Sequence, residues 1–285
     1  MRLAEIEAHI GSMVELRQIV SAMRSLASMR VQEAQRMLPG IRGYAETMAA
    51  GIAAALLLMP EPRPASGAAR GRRALVVCTA EHGFVGGFNE RLFEAAKASL
   101  RPGDALFMLG TRGIAAVQER GWAPAWSHPM ATRPEAATET IRRLTAELYR
   151  GIAAGELIRI DVMFAHHRQS GATTIEQRLL FPVDPASLAV AHPRQPPLHN
   201  LPPDELLEKL IADYVFALLT EAAVESLASE NAARFAAMEA AHDNVSKKLE
   251  QLRLEARQAR QTEITTELLD LVAGAEAQQS RGRLG

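Results

Sequence analysis

DELLEKLIADYVFALLTEAAVESLASENAARFAAMEAAHDNVSKKLEQLRLEARQARQTEITTELLDLVA, Asp204–Ala273, runs for seventy residues without a glycine or proline, from Pro202-Pro203 to a closing Gly274. As one helix it would be about 105 Å long at 1.5 Å per residue, longer than a compact domain of this chain length is wide. Such a helix projects from the fold or lies along something equally long. Phe235, Met238, His242, Val245, Leu249, Leu252, Ala256 and Ala259 are spaced alternately by three and four, the seam of a coiled coil. The chain must supply the partner.

Leu3 to Leu38 is the candidate, with Leu3, Ile6, Ile10, Met13, Leu16, Val20, Met23, Ala27, Ala34 and Leu38 on or near one face. It is expected to stop at Pro39-Gly40, with a second helix, Tyr44 to Leu58, continuing its direction. Charge favours the pairing. Residues 204–273 carry 14 Asp/Glu against 7 Lys/Arg, whereas residues 1–38 carry 4 against 5. Paired terminal helices make the middle of the chain an insertion.

Within that insertion the hydrophobic period changes. Pro60 to Arg72 reads as a linker, and Ala74–Thr79 as a strand buried on both faces. Helix Glu90–Leu100, strand Ala105–Leu109, helix Thr111–Arg120, helix Pro134–Ile152, strand Ile158–Ala165 and an edge strand Thr173–Phe181 follow. His192 to Pro203, with five prolines, leads back to the long helix. The expected fold class is α/β: a long antiparallel coiled coil of the N- and C-terminal helices with an inserted Rossmann-like α/β domain. Its expected parts are N-terminal helices 1–59, α/β domain 73–190 and C-terminal helix 204–277.

Composition bounds the function. A 285-residue chain that is 48% hydrophobic can fill one large core or two smaller ones, and a net charge of −1 opposes a nucleic-acid binder acting through a global positive field. The single Cys78 excludes an internal disulfide and fits a reducing compartment. Met1–Arg30 lacks the apolar run of a secretory signal or membrane span, and Ala49–Met59 is too short to cross a bilayer, so no direct membrane insertion is expected. His166, His167, His192 and His199 lack the spacing of a zinc site; neither a metal nor a cofactor is expected. No catalytic nucleophile–base set stands at a recognisable spacing.

Gly83, Gly86 and Gly87 follow a strand and precede a helix, where an α/β fold cradles phosphate. Their spacing is not that of a dinucleotide fingerprint, and no G-K-[ST] exists, so a tight structural turn, of a kind that can dock a small partner subunit, is favoured over a nucleotide site.

Three blocks resemble the gamma subunit of F-type ATP synthases. They are IVSAMRSLASMRVQEAQ (Ile19–Gln35), TAEHGFVGGFN (Thr79–Asn89) and the pair ESLASENAARFAAMEAAHDN (Glu225–Asn244) with EARQARQTEITTELLDLVAGAEA (Glu255–Ala277), in the family's order. The resemblance implies a non-catalytic rotor shaft seated in a hexamer of alpha and beta subunits, with an epsilon subunit and a membrane c-ring as further partners. It also implies a peripheral place on the cytoplasmic side of a bacterial inner membrane.

By the same resemblance Met23 and Arg24 face a catalytic subunit, although Met23 also suits the core of the coiled coil. Glu230 and Arg234, four apart, match a pattern that meets the catalytic subunits, with a solvated helix pair as the plain alternative. Arg260, Gln261, Thr265 and Glu267 match a polar catch on the beta subunits, and Leu268, Leu269, Leu271 and Val272 an apolar bearing. The chain departs from the family where Val20-Ser21 replace a threonine and lysine, where Glu81, His82 and Val85 replace an aspartate, arginine and cysteine, and where Thr266 replaces a common lysine. These departures point to a divergent branch, such as an alternate or sodium-translocating F-type ATPase. Two other classes compete: a free-standing ligand-binding α/β protein with a coiled-coil dimerisation arm, and a homodimeric coiled-coil adaptor.

Overall fold

The computed structural model describes residues 3–59, 71–168, 173–184, 188 and 198–282, without the side chains of 270 and 273–282. Helix α1 is Leu3–Leu56 and helix α5 is Pro203–Gly282. Between them lie β1 (Arg72–Cys78), α2 (Phe88–Ser99), β2 (Ala105–Leu109), α3 (Thr111–Glu119), β3 (Trp126–His128), α4 (Ala137–Ala153), β4 (Leu157–His167) and β5 (Thr173–Phe181). The chain falls into two units, one of Met1–Ser25 with Ala236–Gly285, the other of Leu26–Phe235.

The larger unit holds a five-stranded sheet of order β3-β2-β1-β4-β5. Its first four strands are parallel, and β5 runs antiparallel along the edge of β4, as its alternating pattern anticipates. Because β1 is buried on both faces, its residues alternate between two cores. Leu75 and Val77 meet Phe88, Leu92 and Phe93 of α2 and Val117 of α3. Ala74, Val76 and Cys78 meet Ile141, Leu144 and Leu148 of α4, Ala45 of α1, and Val215, Leu219 and Ala222 of α5. Burial pushes the Cys78 thiol up to about 12, so it stays protonated at neutral pH.

Sequence expectation and structure part at several places. Helix α1 continues through Pro39-Gly40, where a stop was expected. Proline in a helix interior costs about 3 kcal/mol. Here Ala34 and Leu38 are buried with Val224 and Ala228 of α5, and Ile41 packs against the same cluster, so both sides of the proline are anchored. Helix α5 likewise passes Gly274, a residue that costs a helix only about 1 kcal/mol. The helix expected from Pro134 opens as a 3-10 turn, Pro134–Ala136, before α4. Strand β3 has three residues and no apolar run, and it is held by pairing with Phe107–Leu109 of β2. Of the expected linkers, residues 60–70 and 192–197, His192 among them, lie outside the described residues, while Arg72 already belongs to β1 and Pro203 opens α5.

The smaller unit pairs the start of α1 with the far part of α5. Arg24 bonds Glu239 at 2.9 Å and Arg260 bonds Glu7 at 2.6 Å, so one number rises as the other falls and the pairing is antiparallel. Of the expected seam, Met238, Leu249 and Leu252 are buried, and Ile6 and Val20 are buried on α1. Leu16 departs from this pattern at 40% exposure, and Phe235, in the larger unit, at 37%.

Within the larger unit a buried carboxylate is paired with two arginines at the amino-terminal ends of β1 and β4. Asp161 of β4 accepts from Arg73 Nε at 2.7 Å and from Arg159 Nε at 2.7 Å and Nη2 at 3.0 Å. Burial alone would raise its pKa, but the bonds from Arg159 and Arg73 outweigh burial and hold the carboxyl below its ordinary value. A carboxylate with a depressed folded pKa stabilises the fold above its unfolded value, and this contribution is lost as pH falls through the folded one. Asp161→Asn is therefore expected to lower stability at neutral pH and to flatten the acid limb of a stability–pH curve below about pH 4. Parallel acid limbs for the two proteins would refute this.

Candidate functional site

The parallel strands reverse direction of growth between β1 and β4, and in open α/β sheets the crevice at the carboxyl ends of such a pair takes the ligand. Helix α5 fills it. Ser226 Oγ donates to Cys78 O at the end of β1, and Ser229 Oγ donates to Ala165 O near the end of β4, each at 2.8 Å. The next turn reaches the glycine-rich loop. Glu230 accepts from the backbone N–H groups of Glu81 (3.1 Å) and His82 (3.2 Å), where a bound phosphate would accept in a nucleotide-binding relative of this fold.

Arg234, one turn on, donates to Glu230 at 2.5 Å, to Asn231 at 2.8 Å and to the Gly83 carbonyl at 3.2 Å. Glu230 is 3% exposed and Arg234 7%, so the plain alternative of a solvated helix pair is overturned. Four apart on α5, they form a buried clamp on the loop, and their bonding capacity is largely taken up inside the chain.

Loop residues are held from the other side as well. The Glu81 carboxylate accepts from Thr111 N (2.9 Å), Thr111 Oγ1 (2.7 Å) and Met130 N (2.7 Å), occupying the N-terminus of α3. Asn89 Oδ1 accepts from Ala80 N at 3.0 Å. Of the three glycines, Gly86 takes a left-handed φ of 54°, Gly87 caps α2, and the Gly83 carbonyl receives Arg234. The phosphate-like cradle thus holds the Glu230 carboxylate of its own chain, and the neighbouring N-terminus of α3 holds that of Glu81.

Toward the sheet edge the same face of α5 carries Glu221 and Glu225. Arg42 of α1 bonds Glu221 at 2.8 Å and Glu225 at 2.5 Å, Arg178 of β5 bonds Glu221 at 2.7 Å, and His166 Nδ1 lies 3.0 Å from Glu225. Burial pushes both carboxyls up. The bonds from Arg42 and Arg178 outweigh it at Glu221, which ends below its ordinary value, whereas Glu225 ends above it despite His166 and Arg42. Sequence reading missed Arg42, Glu221, Glu225, Ser226 and Ser229 as a unit. The signal available was a run of acids and serines at four-residue spacing in a stretch otherwise too apolar to face water.

His199 Nδ1 lies 2.8 Å from the Leu201 carbonyl. Among the described residues no three His, Cys, Asp or Glu side chains are placed to hold a metal ion. In the smaller unit Met23 is half-buried and Arg24 is engaged with Glu239. Arg260, Gln261, Thr265 and Glu267 are exposed, as are Leu268, Leu269, Leu271 and Val272, the last four at 55% or more. Thr265 Oγ1 bonds back to Gln261 O at 2.8 Å. An exposed ion pair such as Arg260–Glu7 is worth at most about 1 kcal/mol, so it leaves Arg260 free to exchange partners.

A five-stranded α/β sheet inserted in sequence between long N- and C-terminal helices, with the crevice at its strand ends filled by α5, is the architecture of a stalk-class protein. Comparison with known proteins agrees. The family model described as ATP synthase matches residues 2–278. The ATP synthase gamma chain of Chromobacterium violaceum is 30% identical over 96% of this chain and 98% of its own, and that of Corynebacterium jeikeium is 30% identical over 98% of both. The chain belongs to the ATP synthase gamma-chain family, and so is a central-stalk subunit of an F-type ATP synthase. Solved structures share the fold. A chain of the Euglena gracilis mitochondrial ATP synthase (OSCP/F1/c-ring, rotational state 3) matches with a TM-score of 0.65 at 11% identity, covering 99% of this chain and 96% of that one. One from the Tetrahymena thermophila central stalk and c-ring matches with 0.56 at 17% identity, covering 78% and 99%.

Proposed function

We propose that the chain is the rotor of a rotary F-type ATP synthase or ATPase, coupling ion flow through a membrane c-ring to ATP synthesis or hydrolysis in an alpha/beta hexamer. It carries no active site of its own, and an epsilon subunit docks beside it. Residues 1–59 and 204–277 serve as shaft and 73–190 as the α/β domain. The chain sits peripherally at the cytoplasmic face of a bacterial inner membrane. No described helix is long and apolar enough to cross a membrane. Physically the rotor is a population-shift device, in which each angle must bind one state of a neighbouring catalytic subunit better than another.

The observation that carries this reading is the end of α5. After the buried Leu249 and Leu252, every described side chain from Gln261 to Leu269 is exposed, first polar and then apolar. A helix end with an unsatisfied apolar run of this length suits a ring of partners. Arg260, Gln261, Thr265 and Glu267 are assigned as the catch, and Met23 and Arg24 as further partner-facing positions. Against a free-standing nucleotide binder stand Glu230 and Glu81, which take the amides such a ligand would need.

Co-expression with alpha and beta subunits tests the reading: failure to assemble, or micromolar ATP binding by the isolated chain, removes it. Within the complex, Arg260→Ala and Glu267→Ala are each expected to lower coupled ATP turnover about tenfold, the effect of losing one charge-assisted bond of about 1.5 kcal/mol. The isolated chain should lose no more than about 1 kcal/mol of stability. Unchanged turnover in both variants removes the catch assignment.

A further inference from the structure

Helix α2 leaves part of its own side of the sheet bare. A parallel strand pair needs a long crossover, and α2 supplies the one between β1 and β2. Strands β4 and β5 are antiparallel neighbours joined through residues 168–172, too short a stretch for a crossover helix. Gln177 and Leu179 are therefore exposed at the sheet edge, on the face that Ile175 turns toward α2. Between α2 and this strip lies a groove of about 800 Å³, a size usual for small-molecule sites. Ala95, Ala98 and Ser99, at the spacing of one helix face, line it from α2, and Met163, Ile175 and Gln177 line it from the sheet.

One end of the groove is cationic. Arg73, Arg101 and Arg159 line it, against the carboxylates of Asp104 and Asp161. Arg73 is fully engaged: Nε on Asp161, Nη1 on Asp104 and the Ser99 carbonyl, Nη2 on Ser99 Oγ. Arg159 gives Nε and Nη2 to Asp161 and leaves Nη1 without a partner among the described residues. Arg101 is exposed, and although its backbone N–H donates to Asp104 at 3.0 Å, its guanidinium bonds no described residue. The ion cluster that holds the strand ends together needs Arg73 and Asp161. It needs neither Arg101 nor the apolar strip beside it.

We propose that this groove binds a small anionic amphiphile, a carboxylate, sulfonate or phosphate carried on an apolar body. The guanidinium of Arg101 and the free Nη1 of Arg159 take the anion, and Ala95, Ala98, Met163 and Ile175 take the apolar part. The site lies wholly within the larger unit and does not depend on the rotor reading, so the whole chain by itself can test it.

Fluorescence titration with anilinonaphthalene sulfonate is expected to saturate. Arg101→Gln should weaken binding about tenfold, the effect of one lost charge-assisted bond. Ala98→Phe, which fills the groove from an exposed helix position, should abolish it, whereas Arg142→Gln on α4, across the sheet, should leave it unchanged. Octanoate should displace the probe and octanol should not. Vesicles of phosphatidylglycerol separate the sources of the anion: displacement by vesicles assigns a lipid headgroup, displacement by octanoate alone a soluble anion. Wild-type affinity in Arg101→Gln, equal weakening in Arg101→Gln and Arg142→Gln, or displacement by octanol as well as by octanoate overturns the proposal. Should Ala98→Phe fail to fold, Arg101→Gln still decides, because its side chain holds nothing in the fold.

Discussion

Glu230→Ala is expected to destabilise the α/β unit by about 3–5 kcal/mol, the range for removing one partner of a buried ion pair. The substitution leaves the Arg234 guanidinium, 7% exposed, with only Asn231 and the Gly83 carbonyl, and it strips an acceptor from the amides of Glu81 and His82. Chemical denaturation of the full chain measures the loss as a shift in midpoint. The double variant Glu230→Ala/Arg234→Met should recover part of it, because the uncompensated charge is gone even though the amides remain unbonded. A double variant less stable than the single by the full cost of a second pair would show that the two residues act independently, against the clamp.

Gly113→Ala should be comparably severe for a steric reason. Gly113 lies in the first turns of α3, and a Cβ there would stand 1.8 Å from Thr79 Oγ1 and 2.4 Å from Thr79 Cβ. Thr79 is 1% exposed and its hydroxyl bonds the Leu109 carbonyl at 2.5 Å, so it cannot swing aside. Overpacking at such a site costs about 3 kcal/mol. Adding Thr79→Gly removes all three atoms nearest the new methyl, so the double variant should be more stable than Gly113→Ala alone. If Thr79→Gly gives no relief, the clash lies elsewhere and the account fails.

Much of the architecture is legible before any coordinates. Strands β1, β2, β4 and β5 announce themselves as apolar or alternating runs between turn residues, and the structure places each within two residues of its expected bounds. Leu249 and Leu252 are readable as seam because a three–four spacing has one geometric meaning on a helix. Strand β3 is not readable, since Trp126, Ser127 and His128 carry no period and gain their conformation from β2 alone. Nor is the passage of α1 through Pro39. Local propensity says stop, and a buried cluster that includes Val224 and Ala228, nearly two hundred residues away, overrides it.

The candidate site divides along the same line. Local pattern suffices for the long C-terminal helix, most strands of the inserted sheet and the absence of nucleotide-binding lysine at the glycine turn, because period, composition and motif spacing are properties of neighbouring residues. It does not say where Glu230 and Arg234 point. On a helix with apolar residues around it, an acid and an arginine four apart look the same whether they face water or a loop 150 positions earlier in the chain. Tertiary packing chose the loop, since Ser226 and Ser229 fix α5 against the ends of β1 and β4 and the next turn then meets the amides of Glu81 and His82 and the Gly83 carbonyl. A carboxylate buried there must find donors, and those amides are donors that nothing else satisfies.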